Sequence, residues 1–165
     1  MKLADLFLAQ LEAEAPRTRR ALEAVPERPD WKPHDKSMSL GRLAMLVATM
    51  PSWLPMIIER DDLEIGGPSP QQTELRTSRE LVEAHDKAVA DARRALAATN
   101  DERLMKPWRL LVGGQAVSQD PRHVVIRDTF AHLAHHRGQL TVYLRLNGAP
   151  VPAIYGPSAD DTRFL

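Results

Sequence analysis

The run Ala131-His132-Leu133-Ala134-His135-His136-Arg137-Gly138-Gln139-Leu140 places three histidines within five residues. Read as helix, His132 and His136 lie about 6 Å apart along the axis and about 40° apart around it. Their rings therefore point the same way. They share a stripe with Thr129, Leu140 and Tyr143, so the pair is expected to face the interior. A buried imidazole needs a polar partner, and for two convergent imidazoles a metal ion can supply it. The H-E-x-x-H zinc-protease arrangement is excluded because Leu133 occupies the position of its glutamate base. Catalytic zinc requires three protein ligands and an open position, so a third donor must come from elsewhere in the chain. With no cysteine, that donor is nitrogen or oxygen.

The neighbours of the pair have separable expectations. His135 is turned about 100° from His136, toward Asp128 and Gln139, and should be partly exposed. Gln139 is placed to hydrogen-bond a histidine of the pair, and Arg137 faces away, toward the C-terminal tail or a partner subunit. Gly138 within a helix costs about 1 kcal/mol against alanine, which suggests close approach of a neighbouring backbone. His34 lies in a proline-rich loop and is expected to hydrogen-bond back to the helical body.

Four amphipathic helices are predicted to carry these groups. The first runs from Lys2 to about Ala24, with Leu3, Leu6, Phe7, Leu11 and Leu22 at helical spacing. Three prolines follow in the loop around Trp31, which is expected to fold back as a plug. Ser37 or Ser39 caps a second helix starting at Leu40, interrupted by Pro51 and Pro55. Residues 59–76 read as a long surface loop. Thr77 and Glu80 form a capping box for the third helix, whose inward line is Leu81, His85, Val89, Ala92 and Leu96. A small hairpin is expected around Gly113-Gly114, and the fourth helix is expected to start at Asp120-Pro121 and end at Asn147-Gly148. The proline-rich tail, with Tyr155, Asp160 and Asp161, should lie extended. The predicted fold class is all-α, a four-helix bundle with a minor β-hairpin before the last helix, as one domain over 1–165.

Composition narrows the partners. Lys and Arg together number 22, as do Asp and Glu, and this balance argues against nucleic acid. The N-terminal residues, broken by Asp5 and Gln10, lack a signal-peptide core, and no run reads as a membrane span, so a cytoplasmic location is expected. There is no phosphate loop and no G-x-S-x-G nucleophile elbow.

The stretch from His132 to Asp160, with H-H-R-G-Q-L and Y-G-P-S-A-D, resembles the C-terminal signature of the DinB-like (damage-inducible, YfiT-like) proteins. Trp31 to Ala44, W-K-P-H-D-K-S-M-S-L-G-R-L-A, is similar to that family's entry into its second helix. The resemblance implies an up-down-down-up four-helix bundle, commonly a homodimer, with a divalent metal such as zinc or nickel on three histidines. It also implies thiol-dependent transferase or hydrolase chemistry in some members. Carried over, the family's H-x-x-x-H ligands are His132 and His136. The remaining histidine would fall at position 46, where this chain has Leu46.

A leucine ligates nothing, so the implied site is short of one donor. His85 is the candidate substitute ligand, and Met45 is a weaker one, better suited to Cu(I) than to zinc. Two functions follow. The first is a binding or stress-associated protein with a degenerate two-histidine site and no metal catalysis. The alternative is a divalent-metal-dependent thiol transferase or hydrolase with a substitute third ligand and a small-molecule or thiol substrate.

Overall fold

The computed structural model describes residues 2–67 and 75–163. Helix α1, Leu3–Glu23, continues through Pro16, and its first amide, Leu3 N–H, donates to Asp101 at 2.9 Å. Helix α2, Leu40–Thr49, is capped by Ser39, whose hydroxyl accepts from the Arg42 amide. Pro51 interrupts the helix, whereas Pro55, expected to do the same, falls in the first turn of the next one. A short 3₁₀ turn, Met50–Ser52, separates α2 from α3, Trp53–Glu59. Helix α4, Ser78–Ala98, opens on the complete Thr77/Glu80 capping box, worth about 1 kcal/mol.

The expected all-α four-helix bundle is overturned: the chain is mostly helical but carries a three-stranded mixed sheet. Strand β1, Asp62–Ile65, lies in the stretch expected to be a surface loop. It pairs parallel with β2, Pro107–Val112, which pairs antiparallel with β3, Gln115–Pro121. Four residues are too short for period-two alternation to be distinctive, and pairing with β2 supplies what local pattern cannot. Residues 68–74 of the expected loop lie outside the described residues.

The hairpin turn is Gly113-Gly114, with φ +59° and +76°, a conformation glycine adopts without strain. Both turn amides donate to the Glu64 carboxylate, at 2.6 and 3.1 Å, so β1 also anchors the hairpin tip.

One added element and one boundary differ from expectation. After α4 ends at Ala98, Asn100 caps a short helix α5, Asp101–Met105, by accepting from the Arg103 amide. Asp120 and Pro121 belong to β3, facing Trp108 and Pro107, so the last helix, α6, begins one residue later and spans Arg122–Leu146. Ladder pairing thus wins over the local N-cap signal. Gly148, at φ +69°, follows the C-cap as expected.

Among the described residues the apolar interior forms two clusters. One gathers Phe7, Leu54, Leu96, Trp108 and Phe130, and the other gathers Leu22, Leu43, Val47, Leu81 and Leu140. Trp53 packs against both, and α6 passes from the first cluster to the second between Phe130 and Leu133. His132 sits at that crossing. Trp31 lies edge-on to Tyr143 with ring centroids 5.4 Å apart, the plug expected of it.

The stretch Leu40–Glu59, not expected to resemble a membrane span, has the length and mean hydropathy (1.3) of one. Half of it is buried in the protein, as in a core helix, and it includes the 3₁₀ interruption.

Candidate functional site

Helix α6 brings His132 and His136 together, with Nε2 to Nε2 at 2.8 Å and ring centroids 4.6 Å apart. Their environments differ, contrary to the expectation that both face inward. His136 is 9% exposed, whereas His132 is open to solvent on one side, with the Trp53 ring 5.5 Å away on the other. Burial first, and then the neighbouring His136 and His135, hold the His132 imidazole below its ordinary pKa. It is therefore a neutral base at neutral pH.

Gln139 sets the tautomers. Its amide Oε1 lies 2.8 Å from His136 Nδ1, and its Nε2 lies 3.1 Å from Nε2 of the exposed His135. In this arrangement His136 donates from Nδ1–H to Gln139, which leaves its Nε2 a lone pair. His132 Nε2–H then donates across the 2.8 Å gap, and His132 Nδ1 is left as an acceptor. The result is a directed chain of hydrogen bonds along one helix face. Gln139 is where the sequence placed a partner for the pair.

These donors can be compared with a metal's requirements. Two imidazole nitrogens at about 2.0–2.1 Å from a tetrahedral ion stand about 3.3 Å apart, so the rings would have to open slightly and His132 would have to move its proton to Nδ1. Two donors fit after that adjustment. A three-ligand site does not: among the described residues no group of three His, Cys, Asp or Glu side chains is disposed to hold a metal ion. Position 46, on α2, is the half-buried Leu46, packed against the second apolar cluster.

His85 is deeply buried, but its ring is engaged elsewhere. Nε2 lies 3.1 Å from the Ala15 carbonyl of α1 and Nδ1 lies 3.4 Å from the Ala48 carbonyl of α2. The neutral imidazole sits between three helices, can donate to only one of the two carbonyls, and directs neither nitrogen to the pair. Met45 is half-buried at the edge of the second cluster. His34 stays in its own loop, where Nδ1 accepts from the Lys36 amide at 3.1 Å rather than reaching the helical body.

Arg137 turns away from the pair and is 1% exposed. It donates to Thr18 at 2.9 Å, to the Glu14 carboxylate and to the Tyr155 hydroxyl. Tyr155 in turn donates to Glu14 at 2.9 Å, so the tail is fastened to α1 and α6 directly behind His136. Asp160 and Asp161 tie the tail to itself by accepting from the Val151 and Ala153 amides. The buried charge at Arg137 and its acidic partner on α1 were not legible as a pair, because 123 residues separate them.

The fold and site define a mostly helical protein whose longest helix presents a hydrogen-bonded histidine pair at the junction of two apolar clusters. Residues 1–163 match the model of the DinB family, and the chain belongs to that family. It is 24% identical over 158 residues to the uncharacterized protein YrdA of Bacillus subtilis, covering 95% of this chain and 90% of that one. Among solved structures it resembles a DinB-like protein from Bacillus cereus, with TM-score 0.69, 21% identity and coverage of 90% of this chain and 95% of the other. It also resembles the DinB-like protein YjoA of Bacillus subtilis, with TM-score 0.66, 16% identity and coverage of 87% and 92%. At these identities the two structural likenesses speak for the fold alone.

Proposed function

We propose that this chain is a binding member of the DinB family that keeps two of three ligand positions and does not carry out catalysis with a resident metal. The observation that supports this is Leu46: with no donor at that position, the pair His132 and His136 is left as a hydrogen-bonded dyad rather than a three-ligand site. Two imidazoles alone hold zinc or nickel weakly at neutral pH, where protons compete for the same nitrogens. The protein is further read as a cytoplasmic homodimer. Its balanced charge supports the absence of a nucleic-acid partner, and exposed Val142 and Leu146 on α6 offer apolar surface to a second copy.

The test is the metal content of untagged protein by elemental analysis. Well under one equivalent of zinc or nickel per chain is expected. About one equivalent, lost on His136→Ala, overturns the proposal. That outcome favours the second function, a divalent-metal-dependent thiol transferase or hydrolase. Its support is the convergence of two Nε2 atoms at 2.8 Å beside a solvent-open edge, where a substrate thiolate could add a donor.

A further inference from the structure

Away from the histidines, a cleft of about 360 Å³ opens where β1, α5, β2 and α6 meet, lined by Asp61, Arg103, Lys106, Arg109, Gln119 and Arg122. Four of these six side chains are cationic and one is acidic. Arg122, 0% exposed, spends its donors on the carbonyls of Ile57 (2.9 Å), Lys106 (3.1 Å), Pro107 (2.7 Å) and Arg60 (2.8 Å) and on Asp61. Arg103 is similarly fixed by the carbonyls of Ile58 and Glu59, at 2.8 and 3.0 Å, and reaches Asp61 at 2.9 Å. Two guanidiniums, each held by backbone carbonyls, therefore share a single carboxylate. At the back of the cleft cationic side chains outnumber the acid by one.

The mouth is built differently. Arg109 uses Nη2 on Asp62 at 2.7 Å, and Lys106 meets Glu102 at 3.0 Å. Both pairs are solvent-exposed, and exposed ion pairs contribute little, so an incoming anion can exchange with Asp62 and Glu102 at small cost. An arginine fork, an ammonium and the Gln119 amide together suit an oxyanion with several acceptor oxygens and more than one charge.

We propose that this cleft binds a small phosphate dianion, free or as the head of a phosphate monoester, held by Arg109 and Lys106 against the fixed field of Arg103 and Arg122. A cleft of about 360 Å³ fits a small ligand, and the chain's balanced charge does not favour a polyanion.

The test is titration of the full-length protein with inorganic phosphate and, separately, with glycerol 3-phosphate at constant ionic strength, by calorimetry and ³¹P line width. Saturable binding of either probe is expected, at least tenfold weaker in Lys106→Ala/Arg109→Ala, whose changed side chains are exposed. Glu102→Gln, which releases Lys106, should tighten binding severalfold. Arg79→Ala, at the far end of α4 from the turn into α5, should leave it unchanged. Inorganic phosphate alone identifies the free ion as ligand, and the ester alone identifies the monoester. No saturable binding of either probe, or equal loss in Arg79→Ala, overturns the proposal.

Discussion

Arg137, the residue after His136, points the opposite way and closes a buried ion pair with Glu14 of α1. Burial pushes the Glu14 carboxyl up, but the hydrogen bond and charge of Arg137, helped by Tyr155 and Arg17, outweigh it and leave the pKa below its usual value. Removing the acid alone strands a buried guanidinium. Glu14→Ala should lower unfolding free energy by roughly 3–5 kcal/mol, read from urea denaturation. A paired replacement, Glu14→Leu/Arg137→Met, should lose less than the single change. Because the folded pKa is depressed, this contribution is present above the unfolded carboxyl value and is lost as pH falls through the folded one.

His85 gives stability a second pH dependence, nearer neutrality. Burial lowers its pKa, more than the Ala15 and Ala48 carbonyls and Asp86 raise it, and Arg19 adds to the lowering. A histidine with a depressed folded pKa binds its proton more readily when unfolded, so stability falls as pH drops below the ordinary imidazole value of about 6.5. His132 shifts in the same direction. Thermal unfolding across pH 5–7.5 should show a shallower slope for His85→Leu and the shallowest for His85→Leu/His132→Ala. An unchanged slope in the double variant would dismiss both groups as its source.

Leu46→His tests the missing donor directly. Three nitrogens in place of two should raise zinc or nickel affinity by at least tenfold, measured by competition with a chromophoric chelator. No gain would mean that position 46 does not face the pair.

Gln139 should hold His136 in its Nδ1–H form. Nitrogen-15 correlation spectra of the imidazoles should show that tautomer in the native protein and a rise of the Nε2–H form in Gln139→Leu.

Gly138 has no neighbour within 4 Å of where a Cβ would stand, so the close backbone approach expected from sequence is absent. In an open helix interior, Gly138→Ala should stabilise by roughly 0.5–1 kcal/mol in the same urea experiment.

The long helices were legible because period, caps and prolines agree locally, as at Ser39, Thr77 with Glu80, and Gly148. β1 was not, because Asp62–Ile65 becomes a strand only through its partner β2. The start of α6 moves by one residue for the same reason: Asp120 and Pro121 carry a helix-start signal that β-pairing overrides. At the site, the spacing of His132 and His136 predicted their convergence, since four residues fix direction on a helix. Their unequal exposure depends on what other parts of the chain cover, and no pattern within α6 encodes it.

The parallel pairing of β1 with β2 also bears on the order of folding. β2 and β3 are joined by a two-residue turn and can zip locally, whereas residues 66–106, including all of α4, lie between β1 and β2. A parallel neighbour needs such a crossover, and closing it carries the loop entropy of the whole segment. β1 is therefore expected to pair later than the β2–β3 hairpin forms. Hydrogen exchange along Leu63–Ile65 should report the integrity of the helical assembly, while exchange in the hairpin should report only its own opening.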